Sequence, residues 1–148
     1  MSAIDVQQDY PFSADHVWQR IHGFGDLQSW LPGVTACQVE GEGVGAVRTV
    51  TVADGSQVRE ELVAFDTTRR QFSYRILKGP GVDQRANFVA TVSVAETRGG
   101  CSMRWQADFN AGNAPPENVE KARQSATGMY RFCLTHLGQL LAQEAQDE

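Results

Sequence analysis

Between residues 115 and 143 the apolar positions Val119, Ala122, Ala126, Met129, Cys133, Leu137 and Leu140 recur at steps of three and four, the spacing of one helix face. Pro115 and Pro116 suit a first turn, whose N–H groups have no partner in any case, and Glu117 and Glu120 suit the positive end of the helix dipole. Such a helix is on the order of 40 Å long at about 1.5 Å per residue. No short helix buries it, so it needs a sheet to lie in. From Val34 to Phe109 the pattern changes to runs of β-branched and aromatic residues. The strands predicted are 34–40, 45–52, 57–66, 71–78, 87–97 and 101–109, joined at Gly41-Glu42-Gly43, Asp54-Gly55, Thr67-Thr68, Gly79-Pro80-Gly81 and Gly99-Gly100. None of these runs reads as a crossover helix, so the sheet is expected to be antiparallel and strongly curved. Ahead of it come a strand over 3–9, ended by Pro11, and a helix capped by Ser13 and running to Ile21. Gly23 and Gly25 break that helix, and a second short helical piece from Asp26 to Trp30 stops at Leu31-Pro32-Gly33.

The inward face follows from register. A three-residue loop at Ala53-Asp54-Gly55 sets Arg48 opposite Glu60 and Val50 opposite Val58, whereas a two-residue loop at Asp54-Gly55 sets Glu61 opposite Arg48. In the first register Ala46, Arg48, Val50, Val52, Val58, Glu60, Leu62 and Ala64 share the more apolar face. Phe72, Tyr74 and Ile76 continue that wall, as do Phe88, Ala90, Val92 and Val94. The last strand offers two sets, Met103, Trp105, Ala107 and Phe109, or Arg104, Gln106 and Asp108, the second inward only if the interior is polar.

Bulk properties narrow the function. A chain of 148 residues makes about one domain, 1–148, able to bury a core without disulfides or metal. A net charge of −5, with Arg69 and Arg70 as the only basic cluster, argues against a nucleic-acid partner. The start has no basic region followed by an apolar core, and no eighteen consecutive residues are apolar, so a cytoplasmic location without stable membrane insertion is expected. Three cysteines without C-x-x-C or metal spacing read as buried thiols. No histidines His16, His22 or His136 share a helix turn, and dinucleotide, P-loop and G-x-S-x-G motifs are missing, so neither metal nor cofactor is expected.

The order of elements, with Trp30-Leu31-Pro32-Gly33, Gly45-Ala46-Val47-Arg48-Thr49, Glu60-Glu61-Leu62 followed by Asp66, and Tyr74-Arg75-Ile76-Leu77, resembles the START-like or Bet v 1-like superfamily. Within it the chain is most similar to the SRPBCC polyketide cyclase/dehydratase-like proteins, and more distantly to the plant abscisic acid receptors. The resemblance covers nearly the whole chain. It implies an α+β helix-grip fold, a seven-stranded curved antiparallel sheet wrapped around a long C-terminal helix, with two short helices after the first strand and a cavity between sheet and helix. It favours the three-residue loop, because the family's matching Arg and Glu point into that cavity. The stretch Val52 to Gln57 is shorter than the receptors' gating loop, while Lys78 to Arg85 matches the neighbouring latch-like loop at the cavity mouth.

The implied ligand site comprises Trp30, Arg48, Val50, Glu60, Leu62, Tyr74, Ile76, Phe88, Ala90, Met129, Cys133 and His136. Arg48 and Glu60 are either an ion pair knitting two strands or a carboxylate- or carbonyl-holding pair. Trp30 is a core anchor or the cap of one cavity end, Tyr74 a wall or a hydroxyl offered to ligand, and Met129 and Cys133 read as packing residues on the helix stripe. The expected function is binding of a small hydrophobic molecule, aromatic, polyketide-like or lipid-like, as carrier or sensor. The alternative is a cyclase or dehydratase in which Arg48 polarises a ketone and Glu60 or Tyr74 manages a proton. The expected partner is a small hydrophobic ligand, with no nucleic acid and room for a homodimer.

Overall fold

Alternating strands joined by glycine-bearing turns give a meander. In the computed structural model, which describes residues 2–79, 88–109 and 115–147, that meander is one antiparallel sheet. Its strands are β1 (Ser2–Tyr10), β2 (Val34–Glu40), β3 (Val47–Val52), β4 (Gln57–Asp66), β5 (Gln71–Lys78), β6 (Val89–Thr97) and β7 (Gly100–Phe109), in the order β1-β7-β6-β5-β4-β3-β2. Helix α1 (Ala14–Ile21) and a single 3-10 turn (Leu27–Ser29) lie between β1 and β2, and helix α2 (Pro116–Gln146) follows β7. The second short helical piece is thus one 3-10 turn. The matching latch-like loop beyond Gly79 lies outside the described residues.

The β3–β4 hairpin takes the three-residue loop. Gly55 adopts φ +89°, Val52 N–H donates to Ser56 O at 3.0 Å, and Asp54 Oδ1 accepts from Ser56 N–H at 2.8 Å. A left-handed glycine closing such a loop is inexpensive. Arg48 consequently faces Glu60 and Val50 faces Val58. One residue of the expected inward set is corrected. Between Leu62 and Ala64 the β4–β5 register slips, so Leu62 faces Tyr74 while Phe65 faces Phe72, and Ala64 turns outward. A bulge reverses side-chain parity, and here it brings Phe65 to within 5.4 Å of the Trp18 ring, centroid to centroid. In β7 the apolar set is inward, with Met103, Trp105 and Ala107 buried and Arg104 and Asp108 exposed.

Helix α1 closes one end of the sheet. Ser13 Oγ accepts from His16 N–H and Glu96 Oε1 from Ala14 N–H, each at 3.1 Å, so two donors of its first turn are satisfied, one from β6. Arg20 ties three elements together, donating to Glu144 of α2 at 3.1 Å and to Ser29 Oγ and O at 2.8 Å.

The stripe on α2 shares Cys133 and Leu137 with the one expected and differs elsewhere. Its buried residues are Tyr130, Cys133, Leu134, Leu137 and Leu141, a set at steps of three and four confined to the second half of the helix. Met129, 56% exposed, lies outside this stripe, and Val119, Ala122 and Ala126 are not buried. The sheet therefore holds only the C-terminal half of the helix tightly. At Gly138 the helix runs close to β1: a Cβ there would stand 3.1 Å from Tyr10 Cε1, and the Tyr10 hydroxyl donates to Leu134 O at 2.6 Å. At Gly128, by contrast, nothing lies within 4 Å of an added Cβ.

Candidate functional site

The hairpin register that pairs Arg48 with Glu60 also turns both toward the interior, in the sheet row that continues to Ile76 of β5. Arg48 Nε donates to Glu60 Oε1 at 2.7 Å, and the two side chains are only 3% and 11% exposed. Arg48 Nη1 donates to Phe24 O at 3.0 Å, and the guanidinium lies 4.3 Å from the Phe24 ring centre and 4.9 Å from that of Tyr74. A buried guanidinium survives only when its charge and its donors are both met. Here a carboxylate, a carbonyl and two π faces meet them. Nε and Nη1 make these bonds, and Nη2 makes none among the described residues.

Tyr74 joins this pair to an aromatic cluster. Trp105 Nε1 donates to its hydroxyl at 3.2 Å, and the Trp105 ring stacks on Tyr130 of α2 at 3.9 Å and 7°. The Tyr130 hydroxyl adjoins that of Tyr74. Burial, and next the nearby Glu60 charge, raise the Tyr74 hydroxyl well above the ordinary phenol value. Burial, followed by Tyr74, does the same to Tyr130. Both are neutral phenols over the physiological range, suited to hydrogen bonding and unsuited to taking a proton. Burial also pushes the Cys133 thiol up to about 11, so it is no nucleophile at neutral pH.

Trp30 sits 6.3 Å from Trp105, the rings tilted by 54°. The residue is 3% exposed, and its indole Nε1 is enclosed with no hydrogen-bond partner among the described residues.

The expected site residues thus fall into three groups. Arg48 touches both Glu60 and Tyr74, Trp30 enters through Trp105, and Val50, Leu62, Ala90 and Cys133 are buried in the same core. Ile76 and Phe88 are half-buried at the row's far end, where Ile76 N–H donates to Phe88 O at 3.0 Å and Phe88 stacks on Phe109 at 6.0 Å. His136 is half-buried without a described partner, and Met129 is on the exposed side of α2. Three members of the cluster were not in the expected set. Trp105 belongs to one of the two sets that the last strand offers. Tyr130 carried a readable signal, since with Cys133, Leu134, Leu137 and Leu141 it makes a complete helical stripe. Phe24, between two glycines, gave none.

Comparison with known proteins agrees in fold and differs in name. Residues 1–142 match the family model described as polyketide cyclase/dehydrase and lipid transport. MLP-like protein 423 of Arabidopsis thaliana is 27% identical over 74 residues, 47% of this chain, and the match spans 48% of that relative's length. The solved structure of XoxI from Bacillus cereus superimposes with a TM-score of 0.83 at 26% identity, over 95% of each chain. Ara h 8.0201 gives 0.70 at 21% identity, over 92% of this chain and 97% of that one. Norcoclaurine synthase from Thalictrum flavum, solved with dopamine and hydroxybenzaldehyde, gives 0.74 at 20% identity, over 96% and 87%.

Proposed function

The chain belongs to the polyketide cyclase/dehydrase and lipid transport family, and on that premise we propose that it binds a small, mainly hydrophobic molecule between the concave sheet face and α2, as a carrier or sensor. Its fold is the Bet v 1-like helix-grip, for which hydrophobic-ligand binding is a consistent role. The observation that carries the proposal is the uneven cover of the inner face. All buried residues of α2 lie from Tyr130 onward, while the row containing Arg48 and Glu60 runs into the half-buried Ile76 and on to the half-buried Phe88. An apolar wall with a few fixed polar groups is the usual make-up of a ligand site. Arg48, oriented by Glu60, supplies the anchor for a carboxylate or carbonyl.

Binding is favoured over a cyclase or dehydratase because burial leaves Tyr74 and Tyr130 as neutral phenols and Glu60 is already engaged by Arg48. This chemistry orients a ligand, and it lacks a group poised for proton abstraction. The test is a titration of the protein with medium-chain fatty acids and aromatic carboxylates, followed by tryptophan fluorescence. Wild type is expected to saturate at one equivalent, and R48M/E60L, which replaces the pair with apolar side chains, to lose at least tenfold in affinity for the carboxylates. Equal affinity in both proteins would remove Arg48 from the site, and no saturable binding to wild type would refute the proposal.

A further inference from the structure

Two indole donors enter the interior cluster, and the fold treats them differently. Trp105 Nε1 is given the Tyr74 hydroxyl at 3.2 Å, whereas Trp30 Nε1, equally enclosed, is given no acceptor by the described residues. A buried polar hydrogen without a partner is costly, and native interiors leave few of them. Trp30 is held in place by its surroundings: the 3-10 turn ends on it, with Trp30 N–H donating to Leu27 O at 3.3 Å, and its ring lies against that of Trp105. The donor therefore has a fixed direction, as a recognition group requires.

From this we infer that Trp30 is a specificity determinant: its indole N–H donates to an oxygen acceptor, a ketone, ester or ether oxygen, carried by the bound hydrophobic molecule. The inference rests on the binding proposal above and refines it. Arg48 selects for a charged or strongly polar end, while Trp30 selects for a neutral oxygen within the apolar body. A plain hydrocarbon leaves the indole unsatisfied.

The test uses 1-tetralone and tetralin, which share a bicyclic skeleton and differ by one carbonyl oxygen. Their affinities are read by NMR titration of the 15N-labelled protein, with the three tryptophan indole resonances assigned by single Trp→Phe variants. Partition from water alone favours tetralin, because the ketone must be desolvated. A hydrogen bond from Trp30 reverses the order, with tetralone bound more tightly by severalfold to about tenfold. The Trp30 indole proton moves downfield with tetralone only, and W30F restores the preference for tetralin. The indole shift is read on wild type, so the inference stands or falls even if W30F does not fold. Binding of both compounds with tetralin equal or tighter, or with the Trp30 resonance unmoved by tetralone, would overturn the inference and leave the binding proposal standing. The indole is then satisfied by solvent. Failure of both compounds to bind would overturn the inference and the binding proposal together.

Discussion

Arg48 and Glu60 show what one pair of residues settles. Their juxtaposition was one of two registers that the alternation of β3 and β4 allowed, a one-residue slip setting Glu61 opposite Arg48 instead, and the family resemblance favoured the register the hairpin takes. The stacking of the guanidinium between Phe24 and Tyr74 was not legible, since Phe24 arrives from a loop whose path depends on packing across the fold. The pair's energetics give a prediction. Truncating Glu60 to alanine leaves a buried cation short of its carboxylate and is expected to cost about 3–5 kcal/mol in urea unfolding. R48M/E60L removes both charges and is expected to recover most of that loss. A single mutant no less stable than wild type would mean that solvent reaches the guanidinium freely.

At the scale of elements, α2 is the instructive case. The heptad-like spacing located the helix within a few residues of its ends and placed Cys133 and Leu137 correctly in the buried stripe, but chose Met129 and Leu140 where Tyr130 and Leu141 are buried. Small and mixed residues along the first half carry little signal, because the sheet does not grip them. The two glycines separate the halves cleanly. Gly128→Ala fills open space within a helix and is expected to stabilise by about 1 kcal/mol. Gly138→Ala pushes against the Tyr10 ring, itself fixed by the hydrogen bond to Leu134 O, and is expected to gain nothing or to destabilise. Thermal unfolding of the two variants decides it, and equal gains would mean that β1 and α2 are not in close contact. The bulge in β4 belongs to the same scale: sequence alternation ran on through Ala64, and only the need to cover Trp18 with Phe65 shows why the strand skips a residue.

For the whole molecule, the interior is apolar enough to move several ionisable groups in one direction. Burial pushes the Cys101 and Cys133 thiols up to about 11, and raises Tyr10, Tyr74 and Tyr130 further. In each case the folded chain keeps a proton that the unfolded chain surrenders sooner, so stability is whole below about pH 8.5, where unfolded thiols begin to ionise, and falls as pH rises toward 11. Urea midpoints measured from pH 8 to 11 are expected to fall steadily, and less steeply in C133A. A flat profile would mean that these groups are solvated. The fold class and element order were legible because the meander and the long helix are each marked by periodicity and turn chemistry. The uneven grip on the helix was not, since it depends on curvature that only the assembled sheet possesses.

The most direct measurement is native mass spectrometry of the protein purified from its own cells, beside R48M/E60L purified in the same way. The account predicts a stoichiometric small-molecule adduct on wild type that is lost or exchanged in the variant, and whose extracted mass fits a hydrophobic compound bearing oxygen. Retention of the same adduct by both proteins, or release from wild type of a purely polar metabolite, would contradict it.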